Sequence, residues 1–267
     1  MKEVRVNRFP FQTLEARKRV GGFRKIILVG SGKGGVGKSF VACAIALLLS
    51  EKGYRTGILD IDIHGASVPN YLEVKPPLRS TKNGLAPKVT NGLKVMSVAL
   101  LAGDNPVPMR GSEKQDLITQ FLALTDWGRL DYLIVDLPPS TGDELFSALD
   151  LFAGKSSLVL VTTPSRNAIG VVSRLRRLAE TEGVPVEGIV LNMAYAQVGK
   201  RNRTFPFGRI DGRVLERALD SKMIAEIPLE PKVNQGGLRA VLKGRNATSA
   251  AFRSLLERLT VTERTTG

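Results

Sequence analysis

Apolar residues along this chain follow two alternating rhythms. Short, continuously apolar runs rich in β-branched residues occur at 25–30, 55–60, 132–136, 157–163 and 186–192. Runs of that length and composition predict strands buried on both faces. Between them the period lengthens. Residues 38–52 form a long apolar stretch closed by Gly53, the residue type that most readily turns left-handed past a helix end, so a helix is expected there. Over 166–181, Ile169, Val172, Leu175 and Leu178 recur at three-residue spacing and make one helical stripe. Further helices are expected over 113–124, 212–219 and 249–259, with a strand at 223–227. Two runs, 85–89 and 93–98, flank Asn91-Gly92, a hairpin signal; the rest of 65–110 is irregular, and 195–210 reads as a polar, basic loop.

Strands and helices alternate throughout. The pattern predicts an α/β fold with a mostly parallel sheet flanked by helices on both faces and right-handed crossovers. Residues 1–24 are basic and weakly periodic and read as an N-terminal arm with a short helix over 13–20; residues 25–267 read as one domain.

Composition narrows the class. The chain has 267 residues, 43% of them apolar, enough for a sizeable core. Its longest apolar run, 41–49, is too short to span a bilayer, and Arg5, Arg8, Glu15 and Arg17 interrupt any signal-peptide core, so a cytoplasmic protein is expected. A single cysteine, Cys43, excludes an intrachain disulfide or a multi-cysteine metal site, and it lies in an apolar helical run where an inert thiol is expected. The net charge of +14 favours polyanionic partners. Basic clusters at 17–19, 174–177 and 200–203 carry part of it, without a helix-turn-helix or zinc-finger pattern beside them.

The chemistry concentrates in three places. Gly32-Lys33-Gly34-Gly35-Val36-Gly37-Lys38-Ser39 matches the phosphate-binding pattern of P-loop proteins and stands between a predicted strand and a predicted helix. Glycines there let backbone N–H groups turn inward as an anion nest, and the following helix adds its positive end. Lys38 then reaches the β- and γ-phosphates while Ser39 offers a hydroxyl to Mg²⁺. The strand at 132–136 ends in Asp136, placed to support Mg²⁺ through its water shell. Asp60 and Asp62 end the second strand and, by alternation, point to one side; facing the phosphates, one would serve the Mg²⁺ shell and the other would orient water. Facing solvent, they would be ordinary turn acids. His64 lacks a His or Cys partner nearby and reads as a loop residue. The Asn-Lys-x-Asp guanine-reading motif is absent, which favours ATP.

Taken together, these motifs resemble the MinD/ParA-type ATPases with a deviant P-loop, marked by Lys33, and within them the Mrp/ApbC branch of iron–sulfur cluster carriers. The resemblance rests on residues 32–39, 60–69, 109–111, 127–132 and 136–143, together with Thr162-Thr163-Pro164, Asn192-Met193 and Ile227-Pro228. It implies a homodimer sandwiching two ATP molecules and slow Mg²⁺-dependent hydrolysis. Lys33 would act across the interface, Lys38 on the phosphates and Asp62 on the attacking water. Gly32, Gly34, Gly35, Val36, Gly37, Lys38, Ser39, Phe40 and Asn192 would bind nucleotide, Asn192 at the adenine; Ser39, Asp60 and Asp136 would serve the metal. Iron–sulfur assembly or client proteins are the implied partners.

One departure matters. Carriers of this branch place a Cys-x-x-Cys pair just after the Asn-Met segment, and two subunits share one [4Fe–4S] cluster. Here the stretch reads Ala194-Tyr195-Ala196-Gln197-Val198-Gly199-Lys200-Arg201 and supplies no thiolate. Phe40 stands where Thr is common and removes a hydroxyl near the α-phosphate; His64, Ala66 and Ser140 also depart from the pattern. The charge and the missing cysteines support an alternative reading, an ATP-gated dimer that binds DNA or membrane. Phe252, Leu255, Leu256 and Leu259 give the last helix an apolar face that a membrane or the domain itself would cover.

Overall fold

The computed structural model describes residues 10–62, 65–82, 84–102, 111–139, 142–199 and 202–261. The first half holds α1 (Pro10–Gly22), β1 (Lys25–Ser31), α2 (Lys38–Glu51), β2 (Thr56–Asp60), α3 (Val68–Leu72), β3 (Arg79–Thr81), β4 (Gly84–Ala86), β5 (Lys88–Thr90), β6 (Leu93–Ser97), α4 (Ala99–Ala102) and α5 (Gly111–Leu124). The second half holds β7 (Tyr132–Asp136), α6 (Asp143–Phe152), β8 (Ser156–Thr162), α7 (Arg166–Thr181), β9 (Val186–Leu191), β10 (Ala196–Val198), β11 (Asn202–Thr204), α8 (Gly212–Leu219), β12 (Met223–Glu226), α9 (Val233–Lys243) and α10 (Ala247–Val261).

Eight strands form one sheet in the order β12-β9-β8-β1-β7-β2-β6-β5. All neighbours are parallel except the β5–β6 hairpin, whose turn residues Asn91 and Gly92 both have positive φ. Alternate residues of the central strands serve opposite faces. Ile26, Leu28, Leu59, Leu133 and Val135 pack beneath α1, α5, α6, α7 and α8. Ile27, Val29, Ile58 and Ile134 pack beneath α2, α9 and α10. The mostly parallel, doubly covered sheet is therefore the one the pattern predicts.

This topology fixes where a ligand goes. From β1 the chain passes through α2 to β2, which lies beyond β7; from β7 it returns over β1 to β8. Strand order thus turns back at β1, and a crevice opens outside the carboxyl ends of β1, β7 and β2 at that point. The register sets Val29 beside Asp136, and Asp136 beside Asp60. Ile58 and Ile134, two residues earlier on each strand, face α2, so the period of two brings both carboxylates to the same face.

Several elements go beyond the expectations. α6 carries Leu145, Ala148, Leu149 and Phe152 at helical spacing, all buried, shortly after Pro138, Pro139 and Gly142. α9 is interrupted at Gly237, which has φ 76°, and this break hides its helical period. The loop read at 195–210 contains the exposed β10–β11 hairpin, whose three-residue strands bury no face and so leave no alternation to detect. The helix expected over 13–20 runs Pro10–Gly22 and buries Ala16 and Val20. Residues 1–9, His64, Met109-Arg110, Ser140-Thr141 and Lys200-Arg201 lie outside the described residues.

Candidate nucleotide site

α2 is buried from Lys38 to Leu49, so its position is set by apolar packing on every side. Its N-cap, Gly37, is left-handed at φ 82° and offers no side-chain cap, which leaves the first-turn amides available to an anion. Two glycines in the preceding loop are required by crowding. A Cβ on Gly37 would lie 2.2 Å from Asn192 Nδ2, and one on Gly32 would lie 2.6 Å from the Val171 carbonyl carbon. Around Gly34 and Gly35 the space is open, as a cradle that must admit phosphate needs. The Ser31 hydroxyl donates to the Lys33 carbonyl at 3.0 Å and holds the loop's first turn.

The loop borders a cleft of about 470 Å³ lined by Lys33, Gly34, Gly35, Gly37, Lys38, Ser39, Phe40 and Asp62, with Ser67, Tyr71, Pro139 and Met193 completing its wall. Beneath it one ammonium meets two carboxylates, with a third behind them. Lys38 Nζ donates to Asp136 Oδ1 at 2.7 Å and pairs with Asp62 Oδ2 at 3.4 Å. The Asp62 N–H donates to Asp60 Oδ1 at 3.1 Å, and the Ser97 hydroxyl donates to Asp60 Oδ2 at 2.9 Å. Asp62 Oδ1 accepts the Gly65 N–H at 3.1 Å, which fixes the turn after β2. Burial, reinforced by the charge of Asp136, pushes the Asp60 carboxyl up to about 7. Burial also raises Asp136, against the pull of Lys38 and Ser39.

The residues present fit a magnesium ion. Asp136 Oδ2 is buried and accepts no hydrogen bond, an unmet demand in a site already short of positive charge. Among the described residues no group of three or more metal-binding side chains occurs, so an ion here takes most of its oxygens from water and phosphate. Mg²⁺ binds in that manner, through one or two carboxylates.

Asp60 stands behind Asp62, fully buried, with both oxygens engaged and no part in the cleft wall. Lys33 is exposed at the cleft mouth. Asn192 donates from Nδ2 to the Val36 carbonyl at 2.8 Å and so ties the phosphate loop to the end of β9. It also lines a second cleft of about 300 Å³ with Gly37, Phe40, Tyr71, Met193, Pro228 and Leu229. The two clefts share Gly37, Phe40, Tyr71 and Met193, so they form one trough sized for a phosphate chain and a base. Tyr71 reaches the trough from α3, a five-residue helix too short to show a period, and Met193 from the turn after β9, where the sequence offers only the Asn192-Met193 resemblance. Phe40 packs its ring on Phe252 and Tyr71, at 5.3 and 6.2 Å between centroids, which explains an apolar residue beside the phosphate loop.

Comparison with known proteins agrees with this geometry. The family model described as ParA, NUBPL iron-transfer P-loop NTPase, matches residues 22–260. An iron-sulfur cluster carrier protein of Saccharolobus solfataricus is 34% identical over 92% of this chain and 86% of its own length. A cytosolic Fe-S cluster assembly factor NUBP2 homolog of Trichoplax adhaerens is 35% identical over 91% of this chain and 97% of its own. Among solved structures, a nucleotide-binding protein of Archaeoglobus fulgidus in complex with ADP superposes with a TM-score of 0.74 at 33% identity, over 84% of this chain and 89% of that one. The cell division ATPase MinD of Pyrococcus furiosus shares the fold, with a TM-score of 0.64 at 20% identity over 90% of this chain and 100% of its own.

Proposed function

The chain belongs to the ParA/NUBPL family of iron-transfer P-loop NTPases, and from that premise we propose that it binds Mg·ATP in the trough at the end of β1, hydrolyses it slowly as a homodimer, and acts in iron–sulfur cluster delivery. The observation that carries the nucleotide reading is the Lys38 ammonium held between Asp136 and Asp62 beneath an uncapped helix start.

Lys38 moves its hydrogen bonds from Asp136 to the β- and γ-phosphates when nucleotide enters, and the loop amides of Gly34, Gly35, Val36 and Gly37 close on the same oxygens. Ser39 Oγ and Asp136 Oδ2 would hold Mg²⁺, which supplies charge neutralisation along the phosphates. Asp136 then gains a partner for its orphaned oxygen, so binding relieves an electrostatic cost of the nucleotide-free site. Asp62 accepts a hydrogen bond from the attacking water and orients it. Asp60 supports that placement through the Asp62 N–H and adds negative charge behind the ion. Asn192 keeps the phosphate loop in position and offers its carbonyl oxygen to the adenine amine. Lys33, exposed at the mouth, reaches the γ-phosphate bound by the partner subunit.

The cluster itself is cargo, and this chain lacks the thiolates to hold it. Cys43 is fully buried, and burial raises its thiol well above the ordinary value. The nucleotide-driven step is therefore assigned to this chain, and the thiolates to an assembly partner or client. No helix among the described residues is long and apolar enough to cross a membrane, and the cytoplasm is the proposed location. Lys33→Ala tests the arrangement: Mg·ATP affinity stays within about threefold of wild type while turnover falls at least about tenfold, as loss of a charge acting only in the transition state requires. Unchanged phosphate release by that variant would refute the trans role.

A further inference from the structure

A third cleft, of about 480 Å³, lies on the other side of the 191–195 segment. Leu191, Ala194 and Tyr195 face it, while Asn192 and Met193 face the nucleotide trough. The β10–β11 hairpin and the turn after it supply two arginines. Arg203 lies over the Tyr195 ring at 4.0 Å, and Arg209 over the Phe205 ring at 5.4 Å. Neither guanidinium has an ion-pair partner among the described residues. A guanidinium held on a ring keeps its in-plane N–H fork free and pre-oriented.

The rest of the lining chooses among anions. Asp211 and Glu226 share the cleft with the two arginines. Those carboxylates repel a compact, bare anion such as phosphate or polyphosphate. They accept hydrogen bonds from the exocyclic amino groups of nucleobases. Phe205 and Phe207 are 39% and 51% exposed on the adjoining turn, and flat apolar rings beside unpaired arginines form a stacking platform for bases. Phosphates for the guanidinium forks, amino groups for the carboxylates and, for the rings, base faces that a duplex keeps stacked describe one ligand.

We propose that the cleft between the β10–β11 hairpin and the start of α8 binds single-stranded nucleic acid. The site is separate from the nucleotide trough, so its test leaves the reading of that trough untouched.

Fluorescence anisotropy with a labelled cytosine oligonucleotide of about 20 residues tests it on the full chain, across a salt series, with duplex DNA and inorganic polyphosphate as competitors. The single strand is expected to bind saturably, and both competitors to displace it at least about tenfold less well. Phe205→Ala/Phe207→Ala should weaken binding at least about tenfold, since stacking supplies much of it. Arg203→Ala/Arg209→Ala should reduce the slope of log K against log salt by about 1.4, the share of two phosphate contacts on a single strand. These side chains are exposed, and an unchanged thermal midpoint and Mg·ATP affinity will show that both double variants remain folded. The proposal is overturned by absence of saturable binding at low salt, by equal displacement with polyphosphate or duplex, or by either double variant binding like wild type.

Discussion

Among the described residues Lys38 is the ammonium paired beneath the phosphate loop, and Asp136, Asp62 and Asp60 compete for its field. The consequence is a pH dependence of the nucleotide-free protein. Asp60 titrates near 7 in the fold against an ordinary 3.8. As pH rises from about 4 to about 7, the unfolded chain gives up this proton first, so the folded state loses stability across that window. Below about 4 both states are protonated and the penalty vanishes. Asp60→Asn keeps an acceptor for the Asp62 N–H and has no charge to bury. Urea midpoints should therefore show the variant gaining on wild type between about pH 4.5 and pH 7.5. Parallel profiles for the two proteins would show that Asp60 carries no such burden.

At the scale of elements, apolar packing places the chemistry. α2 has an apolar residue at nearly every position because it lies between the sheet and α9 and α10. The last helix completes that layer: Phe252, Leu255, Leu256 and Leu259 are each at most 1% exposed. The domain, not a membrane, covers its apolar face. Leu255→Ala should cost about 2–5 kcal/mol by denaturant titration, the range for a buried leucine whose neighbours relax incompletely. A loss below about 1 kcal/mol would mean the layer collapses around the gap. Strands of the central sheet were legible because burial on both faces writes continuous apolar runs, and the phosphate loop because glycine, lysine and serine are each required by geometry. Lys38 and Asp136 were legible as parts of one site, one for the phosphates and one for the metal, but their direct ion pair was not, since each was read against a ligand and not against the other. Nor were Tyr71 and the trough-facing position of Met193, because α3 has only five residues and the turn after β9 carries no period. α6 had a readable stripe that its Pro- and Gly-rich approach obscured, and Gly237 broke the rhythm of α9.

The whole molecule combines a family architecture with a single cysteine. One cysteine per chain gives a dimer two thiolates, against the four that a [4Fe–4S] cluster needs, and Cys43 is shut inside the core. Reconstitution with iron and sulfide under anaerobic conditions should leave desalted protein without bound iron or cluster absorbance. Stoichiometric iron with a cluster spectrum would overturn the division of labour proposed between this chain and its partner. All of this depends on occupation of the trough by a magnesium-bound triphosphate. Isothermal titration calorimetry of Mg·ATP into wild type and Lys38→Ala measures that directly. The account predicts saturable binding to wild type that weakens at least about tenfold without Mg²⁺ and is abolished in the variant. Equal binding by the two proteins, or none by wild type with any nucleoside triphosphate, would contradict it.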